Sequence, residues 1–362
     1  MIAGARPNFM KIAPIIRELK KHPELLCYQL IHTGQHYDAA MSDVFFEELE
    51  IPKPDFHLEV GSGSHAVQTA RIMMSYEPIC ISEKPDIVLV VGDVNSTVAC
   101  SLVAKKLNIK VAHVEAGLRS GDMEMPEEVN RIVTDSITDF FFITEKSGVD
   151  NLLAEGKEEN NIHFVGHVMI DNLFNQVEKL KTFNKTQLKV SSKLKGEHLE
   201  YGVVTLHRPS NVDDKDSLTS IIGALAEISS ELPLSFPVHP RTKNNIESFG
   251  LSLPDSIIPL EPLSYMEFLN LFKDASVVLT DSGGIQEETT ALGVPCVTIR
   301  ENTERPITLT EGTNVLVGTS STEIIEKANE AIKKKNKTSK RPALWDGNAS
   351  VRIIEILSKI KL

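Results

Sequence analysis

Short β-branched apolar runs alternate with amphipathic stretches along most of the chain. Runs at 26–32, 87–92, 110–114, 140–143 and 162–165 read as strands, and the stretches 95–107, 127–138 and 146–154 between them carry helical spacing. Continuous apolar strands separated by helices predict a parallel sheet covered on both faces. A second series follows at 202–206, 235–238, 277–280, 295–299 and 314–317. The Lys-rich helical stretch 168–199 between the two series lacks a strong strand and is expected to join two domains. The pattern therefore predicts an α/β protein of two doubly wound domains, 1–168 and 169–348. At 349–361, Val351, Ile354, Leu357 and Ile360 recur at helical spacing. This last helix either closes the second domain or crosses back onto the first.

Length agrees, since 362 residues at roughly 150 per domain make about two domains. With 41% hydrophobic and 24% charged residues, disorder and fibrous repeats are excluded. Thirty-eight Lys plus Arg against fifty Asp plus Glu give a net charge of −12, which argues against a broad nucleic-acid or anionic-membrane surface and leaves room for a local anion pocket. Cys27, Cys80, Cys100 and Cys296 form no CxxC pair, so reduced thiols are expected and no metal site is signalled. No apolar run approaches the roughly 20 residues that span a bilayer, and the expected location is cytoplasmic.

In open α/β sheets ligands bind beyond the carboxyl ends of the strands. Those positions are polar here. The run IVLVVG ends in Asp93, VAHVEAG carries Glu115, GVVTLH ends in His207, and VVLTD ends in Asp281 before Ser282, Gly283 and Gly284. Asp93 also suits a helix cap. The glycines of DSGGIQEE allow close backbone approach, and the free N–H groups of the following helix favour an anion, which makes a phosphate seat. Glu288, one turn in, is placed to reach ribose hydroxyls. A tight turn with Glu287 and Glu288 favouring the helix start accounts for the same residues, and the pattern alone leaves both open.

A second loop-to-helix start, Gly4 to Lys11, has Pro7 suited to a first turn, Arg6 able to fork onto a phosphate, and Lys11 able to steady an acidic site. Only Met1–Ala3 precede it, fewer than a usual strand of ~5 residues, as in a chain that begins late. In the segment 117–131, Glu127 and Glu128 follow Pro126. Dipole complementarity is enough for Glu128, whereas Glu127 beside Glu115 gathers carboxylates whose repulsion and burial can keep one protonated near neutral pH.

The ordered motifs GARPNFMKIAP, TGQHY, VVGDVNST, HVEAGLRS, MPEEVNR, TLHRPSNVD, PVHPRT, LTDSGGIQEE, LGVPCVTIRENTERP and EGTNVLVG, from Gly4 to about Gly318, resemble those of UDP-N-acetylglucosamine 2-epimerases. The resemblance implies a glycosyltransferase-B-type fold of two Rossmann-like domains with an interdomain active-site cleft, the C-terminal helix 349–362 packed back on the first domain, and a homodimer. It implies Asp93, Glu115 and Glu127 as catalytic carboxylates, with His207 near the diphosphate and reacting sugar. Arg6, Ser282, Gly283, Gly284 and Arg305 match diphosphate positions, Glu288 the ribose contact, Phe268 an aromatic near uracil, and Lys11 a lysine near the acids. No cofactor or metal is implied.

Some bacterial members bind a second UDP-N-acetylglucosamine as an activator, and the matching positions are Gln35, His36, Arg71, Arg208 and His239. Two departures stand out: Pro209-Ser210-Asn211 follows His207-Arg208 where other branches carry a second Arg and a Glu, and Asp38 replaces a Gln of the activated members. The expected reaction is reversible C2 epimerisation of UDP-N-acetylglucosamine to UDP-N-acetylmannosamine through a 2-acetamidoglucal, supplying a surface polysaccharide. The competing readings are a hydrolysing epimerase that releases N-acetylmannosamine and UDP, a sugar transferase on the same fold, and a catalytically silent nucleotide-sugar sensor.

Overall fold

The computed structural model describes residues 1–34, 46, 49–334 and 341–360, apart from the side chains of Arg6 and Lys334. The chain divides into two α/β units, Met1–Asn172 with Ala343–Leu362, and Leu173–Pro342. The breaks fall at 172/173 and 342/343 rather than at 168/169 and 348/349. The first lies within the helix Val168–Leu180, so the stretch 168–199 is no free linker. Its second helix, Lys189–Glu197, is capped from within its own unit, because the Glu267 carboxylate accepts the N–H groups of Val190 and Ser191 at 2.9 Å each.

The first unit carries β1 (Ile2–Ala3), β2 (Ile31–His32), β3 (Phe56–His57), β4 (Ile87–Val91), β5 (Lys110–Val114), β6 (Phe140–Ile143) and β7 (Ile162–Phe164). All pairs are parallel, in the orders β1-β2-β3 and β4-β5-β6-β7. The two sheets abut along β1 and β4, where Asn8 Nδ2 donates to Val91 O at 3.0 Å. β4 explains why its run is apolar throughout: Leu89 and Val91 pack on Phe9, Ile12 and Ile16, while Val88 and Val90 pack on the opposite face with Ile72, Tyr76 and Val103.

Only Ile31–His32 of the expected run 26–32 is strand, and β1 and β3 are two residues each, too short to show any period. The C-terminal helix is Ala349–Leu357 and belongs to the first unit. Its Ile353 and Ile354 are buried with Ile12 and Ile16, at roughly 1.5–3 kcal/mol per buried side chain. Asp171 caps it by accepting the N–H groups of Ala349 and Ser350 at 3.1 and 2.6 Å.

The second unit carries β8 (Gly202–Thr205), β9 (Leu234–Pro237), β10 (Ile257–Leu260), β11 (Val277–Thr280), β12 (Cys296–Ile299) and β13 (Asn314–Val317) in one parallel sheet ordered β10-β9-β8-β11-β12-β13. The order reverses between β8 and β11, which makes that pair of carboxyl ends the switch point where such sheets bind ligands. Chain order places β1 and β4 in the same relationship in the first unit. Among the described residues no helix is long and apolar enough to cross a membrane.

Candidate active site

Beside the first switch point, register puts two acidic residues at the carboxyl ends of adjacent strands. Val91 pairs with Val114, and Gly92 N–H donates to Val114 O at 3.0 Å, so Asp93 and Glu115 leave the sheet on adjacent strands. Glu115 is 8% exposed, sits at a φ of 71°, and pairs with the Lys11 ammonium from the helix Arg6–Lys21. A non-glycine residue in that left-handed conformation is strained, and such strain concentrates where side chains are aimed for function. Gly92 makes room for the pair, since its φ is 66° and a Cβ there would stand 2.9 Å from Lys11 Nζ. Lys11 therefore stands against Glu115.

Asp93 is not the helix cap. The cap of Asn95–Lys106 is Val94, and the Asp93 carboxylate instead takes Arg131 Nη2 at 2.7 Å and Nε at 3.1 Å. Arg131 also donates to Glu128 Oε2 at 2.8 Å. Glu128 does more than complement a dipole: it accepts Ser120 and Gly121 N–H at 3.0 Å each and so ties the preceding loop to its helix. Burial opposes its ionisation, yet those N–H groups and Arg131 hold its carboxyl below the ordinary value.

Glu127 is half-buried at the start of the helix Pro126–Ile137 and has no hydrogen-bond or ion-pair partner among the described residues. Asn130 and Arg131 follow it by one turn on the same face, and both grip Asp93, Asn130 through the Asp93 carbonyl at 2.9 Å. The anchors Arg131 and Asn130 escaped sequence reading, although they stand inside the MPEEVNR motif.

The second unit builds a different site. The Thr205 and Thr280 hydroxyls meet at 2.7 Å at the ends of β8 and β11, and beyond them His207 Nδ1 lies 2.8 Å from Asp281 Oδ1. Asp281 is fully buried and also accepts the N–H groups of His207 and Arg208 at 2.9 Å each. Burial works against its charge, but His207 and the backbone donors hold its carboxyl below the ordinary value. An ionised acceptor puts the proton on Nδ1 and leaves Nε2 of the half-exposed ring for a ligand.

The helix Gly283–Leu292 starts at Ser282 without a side-chain cap. Apart from its chain neighbours and its own helix backbone, a Cβ added at Gly283 or Gly284 would meet no atom of a described residue within 4 Å, so packing among the described residues does not account for these glycines, and the helix start is open to close approach by an anion. Glu287 and Glu288 do not serve the helix start. Glu287 Oε1 lies 2.6 Å from Arg305 Nε, and Glu288 Oε1 accepts from the Tyr265 hydroxyl at 2.9 Å. Glu288 Oε2 is buried without a partner among the described residues. Burial pushes its carboxyl up to about 7. Phe268 lines a pocket of about 190 Å³ with Thr205, His207, Val238, His239 and Pro262.

Of the second-site positions, Gln35 and His36 lie outside the described residues, as does the side chain of Arg6. Arg71 is exposed on the helix His65–Glu83. Arg208 Nε donates to Asp281 O at 3.0 Å, and the His239 ring stands 5.9 Å from that of His207. Tyr265 and the anchoring role of Asp281 were not visible in the sequence, because their partners lie 23 and 74 residues away.

A model of UDP-N-acetylglucosamine 2-epimerases matches residues 17–358. The chain is 44% identical to a UDP-N-acetylglucosamine 2-epimerase homolog of Methanococcus maripaludis, with 99% of each covered. It is 42% identical to the UDP-2,3-diacetamido-2,3-dideoxy-D-glucuronate 2-epimerase of Pseudomonas aeruginosa, again over 99% of both. Its fold matches the crystal structure of Methanocaldococcus jannaschii UDP-GlcNAc 2-epimerase in complex with UDP-GlcNAc and UDP, with a TM-score of 0.81, 41% identity, and coverage of 99% of this chain and 98% of that one. Parallel sheets, switch-point polar groups and full-length similarity agree, and the chain belongs to the UDP-N-acetylglucosamine 2-epimerase family with its glycosyltransferase-B-like two-domain fold.

Proposed function

We propose that the protein interconverts UDP-N-acetylglucosamine and UDP-N-acetylmannosamine without hydrolysis, the first unit supplying proton chemistry and the second holding UDP. No carbonyl acidifies the C2 hydrogen of this sugar, so proton removal is coupled to loss of UDP. A carboxylate takes the C2 proton, the C–H electron pair forms the C1–C2 double bond, and the C1–O pair leaves on the β-phosphoryl oxygen. Return of a proton to the opposite face of C2 and re-addition of that oxygen to C1 give the epimer. Asp93, Glu115 and Glu127 serve the two faces. Arg6, Arg305, His207 with a second proton on Nε2 and the helix start at Ser282-Gly283-Gly284 stabilise the diphosphate charge as it develops. Glu288 takes the ribose hydroxyls and Phe268 packs against uracil.

The observation that carries this reading is the placement of Asp93 and Glu115 just beyond the carboxyl ends of the paired strands β4 and β5, with Glu127 one turn before the two residues that grip Asp93. Incubation with UDP-N-acetylglucosamine in deuterated water tests it. UDP-N-acetylmannosamine labelled at C2 is the expected product, and build-up of free N-acetylmannosamine would instead favour hydrolysis. A parallel incubation with UDP-2,3-diacetamido-2,3-dideoxy-D-glucuronate tests the sugar. Turnover of that compound alone would overturn the N-acetylglucosamine assignment.

A further inference from the structure

One buried pair in the first unit lies behind the acidic groups. His113, the fourth residue of β5, is 0% exposed, as is Asp135 in the helix Pro126–Ile137. His113 Nδ1 lies 2.7 Å from Asp135 Oδ1, and its Nε2 lies 2.8 Å from the carbonyl oxygen of Gly92. The carbonyl only accepts, and so does an ionised carboxylate, so each ring nitrogen of His113 faces an acceptor. The other Asp135 oxygen accepts Gly117 N–H at 3.0 Å and Arg119 Nη1 at 2.8 Å. Burial opposes ionisation of Asp135, but His113 and Arg119 hold its carboxyl below the ordinary value.

These bonds reach the backbone of every candidate acid. Gly92 immediately precedes Asp93, Gly117 closes the turn that begins at the strained Glu115, and Asp135 itself stands on the helix that carries Glu127. We propose that His113 and Asp135 are positioning residues that lock the three carboxylate-bearing segments into one arrangement through the Gly92 carbonyl and the Gly117 amide. This rests on Asp93, Glu115 and Glu127 being the proton-transfer groups. A buried ion pair is weak evidence of stability in itself, because desolvation offsets the attraction. Fixed geometry between proton-transfer groups is worth far more, since a displacement of about 1 Å costs on the order of 10²-fold in rate.

The test compares His113→Asn with His113→Gln. Asn keeps a donor where Nδ1 stands and loses the bond to Gly92, whereas the Gln amide reaches the Gly92 oxygen. Deuterium incorporation at C2 should fall about 10²-fold in kcat for H113N with KM within about threefold, and H113Q should recover at least about tenfold of that loss. UDP affinity should stay unchanged in both, since UDP is assigned to the other unit. Equal losses in the two variants, or a loss expressed in KM, would overturn the proposal. Nitrogen NMR of histidine-labelled wild-type protein gives a readout that needs neither variants nor activity. In the folded protein both His113 ring nitrogens should be hydrogen-bond donors, and a ring with one unprotonated nitrogen would sink the arrangement even if both variants unfold. Wild-type protein that exchanges no C2 proton while His113 is doubly protonated would overturn the assigned reaction and leave the lock standing.

Discussion

Asp281 holds His207 by two routes at once: its Oδ1 meets ring Nδ1 at 2.8 Å and its Oδ2 accepts the backbone N–H of the same residue at 2.9 Å. The ring is therefore fixed in direction, with Nδ1 held as a donor, by a residue just beyond the neighbouring strand β11. Asp281→Asn retains shape and a hydrogen-bonding group but removes the charge that stabilises an imidazolium. Epimerisation by this variant should fall on the order of 10²-fold or more, and D281N combined with H207A should be little worse than H207A alone. A steady-state assay of the three variants checks this, and additive losses would show that the two residues act separately.

Glu127 offers the opposite case, a side chain with chemistry proposed and no hydrogen bond or ion pair to lose among the described residues. Glu127→Gln should leave thermal stability within about 0.5 kcal/mol of wild type while lowering C2 deuterium incorporation by about 10²–10⁴-fold. Asp93→Asn should lower exchange similarly and also destabilise the fold, because it weakens the partner of Arg131. Melting curves and isotope incorporation on both variants separate the two roles. Full activity in E127Q would remove Glu127 from the mechanism.

How much of this was legible in the sequence follows from where each signal lives. Asp93, Glu115 and His207 could be read because each follows an apolar strand, and five-residue strands such as β4 have enough length to be recognised. The strands β1 and β3 have two residues each and no period to find, and β10 contains Pro259, which an edge strand tolerates and a sequence reading counts against a strand. Partners were hidden for a different reason. His113 reads as one polar residue in an apolar run, and nothing local shows that Asp135 and the Gly92 carbonyl, 22 and 21 positions away, meet its two nitrogens. The last helix has an apolar face whose spacing alone fits two seats, and its partners in the first unit, Ile12, Ile16 and the capping Asp171, lie far away in sequence, Asp171 178 residues before the N–H group it caps.

Gly92 is a steric prediction. Its φ of 66° favours glycine, and its absent Cβ leaves the Lys11 ammonium in place against Glu115. Gly92→Ala should destabilise the protein by about 1–2 kcal/mol through backbone strain. It should also reduce turnover by displacing Lys11, and Lys11→Met should reproduce the loss of turnover without the strain. Urea denaturation and kinetic assays on both variants decide the matter, and wild-type turnover in G92A would show that the contact is not needed.

Glu288 makes stability depend on pH with a definite sign. Its carboxyl is pushed up to about 7 by burial, against an ordinary value of 4.5. Between those pH values the unfolded chain has released the proton and the folded one keeps it, so folding binds a proton there. The associated stabilisation is complete below pH 4.5 and is lost as pH rises through 7. Glu288→Gln removes the titration, so the stability difference between wild type and E288Q should shift against wild type by roughly 2–3 kcal/mol from pH 4.5 to pH 8. Tyr265→Phe should push the carboxyl higher still, since the phenol's bond to Oε1 is what lowers it. Chemical denaturation of the three proteins across that range tests both statements, and a wild-type to E288Q difference independent of pH would show that Glu288 is already ionised throughout.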